Sequence, residues 1–322
     1  MVQASTVLNI LASTTVISGV LANGILAGQG VTQTVEPIQI NFQAQVGDDP
    51  FQCDGVYRLG TMNNAIAVTD FRLYVSDAQL IRADGERVPI QLEQDGIWQF
   101  QNVALLDFED QTGSCTNGTS AMRTHISGTV PSGDYSGIEF TLGVPFDLNH
   151  NDVTLAPSPL NLTSMWWNWQ GGYKFVRIDL ENQMESAGLQ QYVAHTGHSD
   201  GHGEGSEHHN HPAGEHMGHA SGFLIHLGST GCQVEGNAQQ PTFCSNPNTS
   251  TVAFDNFDPR ENVIVADLSA LVADSNLMMN APDTPLGCMS SPADSDCAEI
   301  FENFGLSHGT QPTTTQTFFR AE

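Results

Sequence analysis

Apolar and polar residues alternate with period two along most of this chain, and the 3.6-residue period of an amphipathic helix is scarce. Ile38, Ile40, Phe42, Ala44 and Val46 fall on one face of a first strand. Phe71 to Val75 alternates ahead of a turn at Asp84-Gly85, and Ile97 to Phe108 reads as a strand pair. Met122, Thr124 and Ile126 predict another strand, closed by a turn at Pro131-Ser132-Gly133-Asp134. Ile138, Phe140, Leu142 and Val144 predict the next. Val176, Ile178 and Leu180, then Phe223, Ile225 and Leu227, predict two more. Strands at short spacing, separated by Gly, Pro, Asn and Asp turns, make this an all-β chain. The expected architecture is an antiparallel β-sandwich with long loops.

The alternation fails in three places. Residues 1–30 carry no charge, and Val7 to Leu26 is moderately apolar and ends in small residues. The basic start of a signal peptide is missing, so the segment reads as an atypical export signal or a disordered leader. Ser, Thr, Asn and Gly break the run too often for a spanning helix, and no transmembrane span is expected. Residues 195–219 are Gly, His, Ser and Glu with little apolar content, which predicts a mobile loop unable to bury a core. From Asp274 the chain is rich in Pro, Ser and Asp, predicting an irregular extension over 274–322, stapled by Cys288 and Cys297, that ends in a frayed tail. One β-sandwich domain over 36–273 accounts for the rest.

Charge narrows the function. Nine Lys and Arg stand against 36 Asp and Glu, a formal net charge of −27. Such a surface repels nucleic acid and anionic membranes and attracts cations. The six cysteines (Cys53, Cys115, Cys232, Cys244, Cys288 and Cys297) form no C-x-x-C, so thioredoxin-like, zinc-knuckle and c-type haem readings lack support. A dispersed, even set suits disulfides in an oxidising compartment. Short loops make Cys232–Cys244 and Cys288–Cys297 the simplest pairings, leaving Cys53–Cys115, and each short loop closed adds about 2–3 kcal/mol.

Histidine is the loudest chemical signal. His195, His198, His202, His208, His209, His211, His216 and His219 stand with Glu204, Glu207 and Glu215 in one tract. Imidazoles at irregular spacing capture Zn²⁺, Cu²⁺ or Ni²⁺ adaptably, but without the fixed geometry that selects one metal. His150 lies at a turn-like strand end and His226 on the strand face opposite Phe223 and Ile225, both flanking a tryptophan-rich segment. That segment, Met165-Trp166-Trp167-Asn168-Trp169-Gln170-Gly171-Gly172-Tyr173-Lys174-Phe175, holds three of the four tryptophans and the only lysine. Its indoles fit a hydrophobic plug at a sheet edge, a stacking platform for carbohydrate, or a site of oxidation. No Walker loop, H-E-x-x-H or G-x-S-x-G is present.

The ordered series Asp70-Phe71-Arg72-Leu73-Tyr74-Val75-Ser76, Ala104 to Asp110, Leu142-Gly143-Val144-Pro145-Phe146, the tryptophan segment, and His226-Leu227-Gly228-Ser229-Thr230-Gly231-Cys232 resembles the MbnP-like family. Its members are also called metallo-mystery pair, four-Cys motif proteins. The resemblance spans roughly Ile38 to Leu306. It implies an exported bacterial β-sandwich that binds copper and is not itself an enzyme. It implies a partner related to MauG-like di-haem cytochrome c peroxidases, which oxidises a tryptophan to kynurenine. By motif position the candidates for oxidation are Trp167 and Trp169, and the ligands His150 and His226. The histidine tract lies outside the matching motifs and is expected to act as an auxiliary loop for copper or zinc. A general metal scavenger and a carbohydrate-binding sandwich are the competing functions.

Overall fold

The computed structural model describes residues 34–183 and 221–322. The expected leader at 1–30 and the histidine tract at 195–219 lie outside the described residues. The long strand Asn64–Arg82 is the spine of the larger sheet. Along one side it pairs antiparallel first with Val176–Asn182 and then with Tyr135–Leu142. Along the other it takes Val56–Leu59, Val103–Asp107 and Arg87–Pro89. Strand Gly222–Leu227 extends the sheet beyond Val176–Asn182, and Ser250–Phe254 extends it beyond Tyr135–Leu142.

The second sheet is built on Val35–Val46, whose inward positions Ile40, Phe42 and Ala44 are buried while Gln39 and Asn41 are exposed, as the alternation requires. It pairs antiparallel with His125–Pro131 and parallel with Val263–Asp267. The two sheets face each other through aromatic side chains. Phe42 meets Phe140 edge to face at 5.6 Å, and Phe140 meets Phe319 at 5.3 Å. The fold is an all-β sandwich, with one parallel pair because the chain returns to its first strand by a long crossover.

Three disulfides join Cys232–Cys244 and Cys288–Cys297, the pairs that short loops favoured, and Cys53–Cys115, the pair they left. Two expectations change. The strand foreseen from Met122 begins at His125, with Met122 exposed. The segment after Asp274 is irregular over much of its length and stapled by Cys288–Cys297, as expected, but it is packed and does not end in a frayed tail. Helix Ala298–Asn303 packs Ile300 and Phe301 into the core, and Phe319–Ala321 forms an edge strand on Val263–Asp267. Cys288 bonds by its backbone to Leu224 and His226, so this segment covers the edge of the larger sheet.

Candidate functional site

Three chain segments meet at one end of the larger sheet: the short helix Phe146–Asn149 with His150 at its C-terminus, the hairpin Trp166–Asn168/Gly172–Tyr173, and the link Gly228-Ser229 that leads into the strand Thr230–Gln233 carrying Cys232. Asn168 closes the tryptophan hairpin, its Oδ1 accepting from the Gln170 and Gly171 amides at 2.9 Å each. Gly172 has φ +74°, and a Cβ there would sit 2.4 Å from the Asn149 carbonyl oxygen. The hairpin thus lies directly on the helix. Asn149 Oδ1 accepts from the Tyr173 amide at 2.9 Å and ties the two together. Tyr173 anchors the hairpin below, with its hydroxyl on the Leu160 carbonyl and its ring edge on Tyr74 at 5.9 Å.

The tryptophans occupy different surroundings. Trp167 lies over Gly228, where a Cβ would come within 2.6 Å of the indole Cζ3. Trp169 is 48% exposed, and its carbonyl faces His150 Nδ1 at 3.3 Å. Trp166 is half-buried, and its indole N–H has no hydrogen-bond partner.

His150 is only 4% exposed, with Phe146 edge-on to its ring at 5.1 Å. Burial lowers its pKa, opposed by the Trp169 carbonyl, so the imidazole is neutral at neutral pH. A proton on Nδ1 donated to that carbonyl leaves Nε2 unprotonated, with its lone pair as an acceptor. Nε2 lies 3.4 Å from Asn149 Nδ2 and 3.4 Å from Cys244 Sγ. Beside it opens a cleft of about 340 Å³ lined by Trp167, Asn168, Gln170, Ser229, Cys232 and Met289 among others. Among the described residues, His150, Cys232 and Cys244 form a group whose ligand atoms all lie within 4.8 Å of one another. The two sulfurs are bonded to each other, so His150 is the one strong donor of that group as it stands. A larger groove of about 700 Å³ near Asp77, Gln91 and Gln101 is lined by no histidine or cysteine.

His226 has different partners. It lies on the outward face of its strand, and its Nε2 contacts Asp179 Oδ1 at 2.7 Å. Asp179 also takes Arg177 at 2.7 Å, Arg177 reaches Asp70 at 3.1 Å, and Asp70 pairs with Arg72. Burial lowers the His226 pKa against the pull of Asp179. For Asp179 burial acts upward, but His226 and Arg177 outweigh it and hold the carboxyl below its usual range. Lys174 donates to the Ser164 carbonyl at 2.9 Å at the margin of this network. The structure therefore brings His150 together with Trp167 and Trp169, and places His226 in a buried ionic network. Sequence reasoning missed Asn149, Ser229 and Met289, and read Cys232 and Cys244 only as staples. Asn149 beside His150 in Leu148-Asn149-His150 was the visible signal for the first of these.

A disulfide-bonded β-sandwich that gathers a tryptophan hairpin, a buried imidazole and a half-buried disulfide at one sheet end is the class these features define. Residues 35–290 match the family model MbnP, and the chain belongs to that family. A solved relative, MbnP from Methylosinus trichosporium, is 27% identical, covering 89% of this chain and 98% of its own, with a TM-score of 0.71. No curated protein matches the chain. Family membership associates the chain with metal binding. Among the described residues no helix is long and apolar enough to cross a membrane.

Proposed function

We propose that this chain is an exported copper-binding protein, not an enzyme, whose site is completed by oxidation of Trp167 or Trp169. The observation that carries this reading is His150. It is a buried, neutral imidazole whose Nδ1 is fixed by the Trp169 carbonyl and whose Nε2 lies 3.4 Å from the Asn149 side-chain amide and from Cys244 Sγ, next to the cleft that Trp167 and Cys232 line. A backbone carbonyl on the far ring nitrogen is the usual way a ligating histidine is oriented. One imidazole alone holds copper weakly. Conversion of an adjacent tryptophan to kynurenine supplies an aromatic amine and a ketone where the indole offers no metal donor. The conversion consumes two equivalents of hydrogen peroxide, gives N-formylkynurenine and two waters, and then loses formate by hydrolysis. The oxidant fits a MauG-like di-haem cytochrome c peroxidase relative. Trp169 is exposed enough to exchange electrons with such a partner, and Trp167 lines the cleft. The three disulfides support folding in an oxidising compartment, consistent with export to the periplasm or cell surface. His226 is assigned to the ionic network, because its Nε2 is taken by Asp179.

The test is expression with and without a co-expressed di-haem partner, followed by intact mass, a peptide map and copper titration. The expected result is one tryptophan-to-kynurenine mass shift within 166–169 and tight copper binding in the modified chain alone. His150→Ala should weaken that binding at least about tenfold, an effect expected even of an outer-shell partner. Equal copper affinity in the unmodified chain, or in a Trp167→Phe/Trp169→Phe variant, would overturn the reading.

A further inference from the structure

We propose that Cys232, Cys244 and His150 form a latent soft-metal site, masked while the disulfide is closed, which reduction opens to Cu(I). The proposal shares His150 with the copper site above but requires no tryptophan oxidation. Geometry is the first support. His150 Nε2 is 3.4 Å from Cys244 Sγ, and all three ligand atoms lie within 4.8 Å of one another. The donors are thus assembled before any metal arrives, and cutting one S–S bond turns the weakest pair into the strongest. Two thiolates and an imidazole make a soft set that suits Cu(I).

The second support is how this bridge differs from the other two. Cys53, Cys115, Cys288 and Cys297 are each at most 4% exposed. Cys232 and Cys244 are only half-buried, and Cys232 lines the cleft that Trp167 and Met289 also line. A dithiol entering the cleft therefore reaches this sulfur pair and not the others. The hairpin carrying it, Thr230–Gln233 with Phe243–Asn246, belongs to neither main sheet. Cys288 and Cys297 pack in the hydrophobic core, whereas Cys232 and Cys244 do not. Opening the exposed bridge leaves the sandwich intact. Met289 adds a thioether to the cleft wall, a further soft group on the path of the metal.

The chemistry balances with a dithiol as reductant. The dithiol gives two electrons and two protons and leaves as its own disulfide, and the Cys232–Cys244 bond becomes two thiols. Binding one Cu(I) then releases those two protons. The chain cycles between a closed form that binds at the tryptophan rim and an open form that holds Cu(I) through sulfur.

The experiment uses the full chain expressed without a di-haem partner, with intact mass verifying that every tryptophan is unmodified, so kynurenine cannot contribute. Mild anaerobic dithiothreitol treatment and desalting precede thiol counting and Cu(I) titration against a competing chelator. The expected result is two titratable thiols, located at Cys232 and Cys244 by alkylation mapping, in a chain that keeps its circular dichroism. One tight Cu(I) equivalent should appear with them. It should vanish when the freed thiols are alkylated and weaken at least about tenfold in His150→Ala. Absence of accessible thiols, thiols without a gained equivalent, or a gained equivalent indifferent to His150→Ala each overturns the proposal. None of these outcomes bears on whether tryptophan oxidation builds the other site.

Discussion

Glu109 has no exposed surface, and neither carboxylate oxygen has a hydrogen-bond donor, although Arg72 Nε lies 3.4 Å away. Burial is the largest influence and, with Asp70 adding to it, pushes the Glu109 pKa up to about 8 against the pull of Arg72. Burial likewise pushes Asp107 up to about 7. Both acids bind their protons more tightly in the folded chain than in the unfolded one, where carboxyls titrate near ~4. The stability they contribute is complete below that value and is lost as pH rises through 7 and 8. His150 and His226, buried with lowered pKa values, act in the opposite sense as pH falls below their ordinary value of 6.5. The informative window is therefore pH 7 to 9. Thermal unfolding of the chain should show Tm falling across it, and Glu109→Gln should flatten the slope by removing the larger of the two titrations. An unchanged slope would place the proton release elsewhere.

The terminal strand Phe319–Ala321 shows what a nonlocal element contributes. Phe318 is fully buried, 4.6 Å from the Phe319 ring and 5.2 Å from Phe304. Phe318→Ala should cost about 3–5 kcal/mol in denaturant unfolding, where a frayed tail would cost nothing. The strands legible in the sequence, such as Val35–Val46 and Val176–Asn182, each bury one face, so the period-two pattern is written locally. The terminal element carries two adjacent phenylalanines with no alternation, and its partner Val263–Asp267 lies some fifty residues earlier. No local pattern encodes that pairing. The same limit applies to the site. The tryptophan segment and His150 stand out by residue type. Their meeting depends on Asn149 bonding to Tyr173, twenty-four residues on, and the approach of Cys244 to His150 depends on a hairpin ninety-four residues away. His226 was legible as a strand histidine, but its partner Asp179 comes from the neighbouring strand.

At the scale of the whole molecule, a chain of net charge −27 draws cations to its surface without holding any one of them tightly. The histidine tract is expected from its composition to bind metal as well, and the two kinds of binding separate by deletion. Strands Val176–Asn182 and Gly222–Leu227 are antiparallel neighbours, with Glu181 opposite Gly222. The Asn182 amide donates to the Ser221 carbonyl at 3.0 Å. The two ends of the intervening segment are thus already adjacent, and removing 199–220 asks the fold for no new closure. The excision takes out His202, His208, His209, His211, His216 and His219 and leaves the rim of His150, Trp167 and Trp169 in place. In the partner-modified protein, calorimetric copper titration of the deletion variant should lose the weaker equivalents and retain one tight site. That site should still be sensitive to His150→Ala. Loss of all tight binding on deletion would transfer the function to the tract and make the chain a general metal scavenger. The tract spaces its imidazoles irregularly along the sequence, whereas the rim fixes one imidazole to within a hydrogen bond of its backbone support. Selectivity for copper over zinc follows geometry, so the rim should discriminate between the two metals and the tract should not.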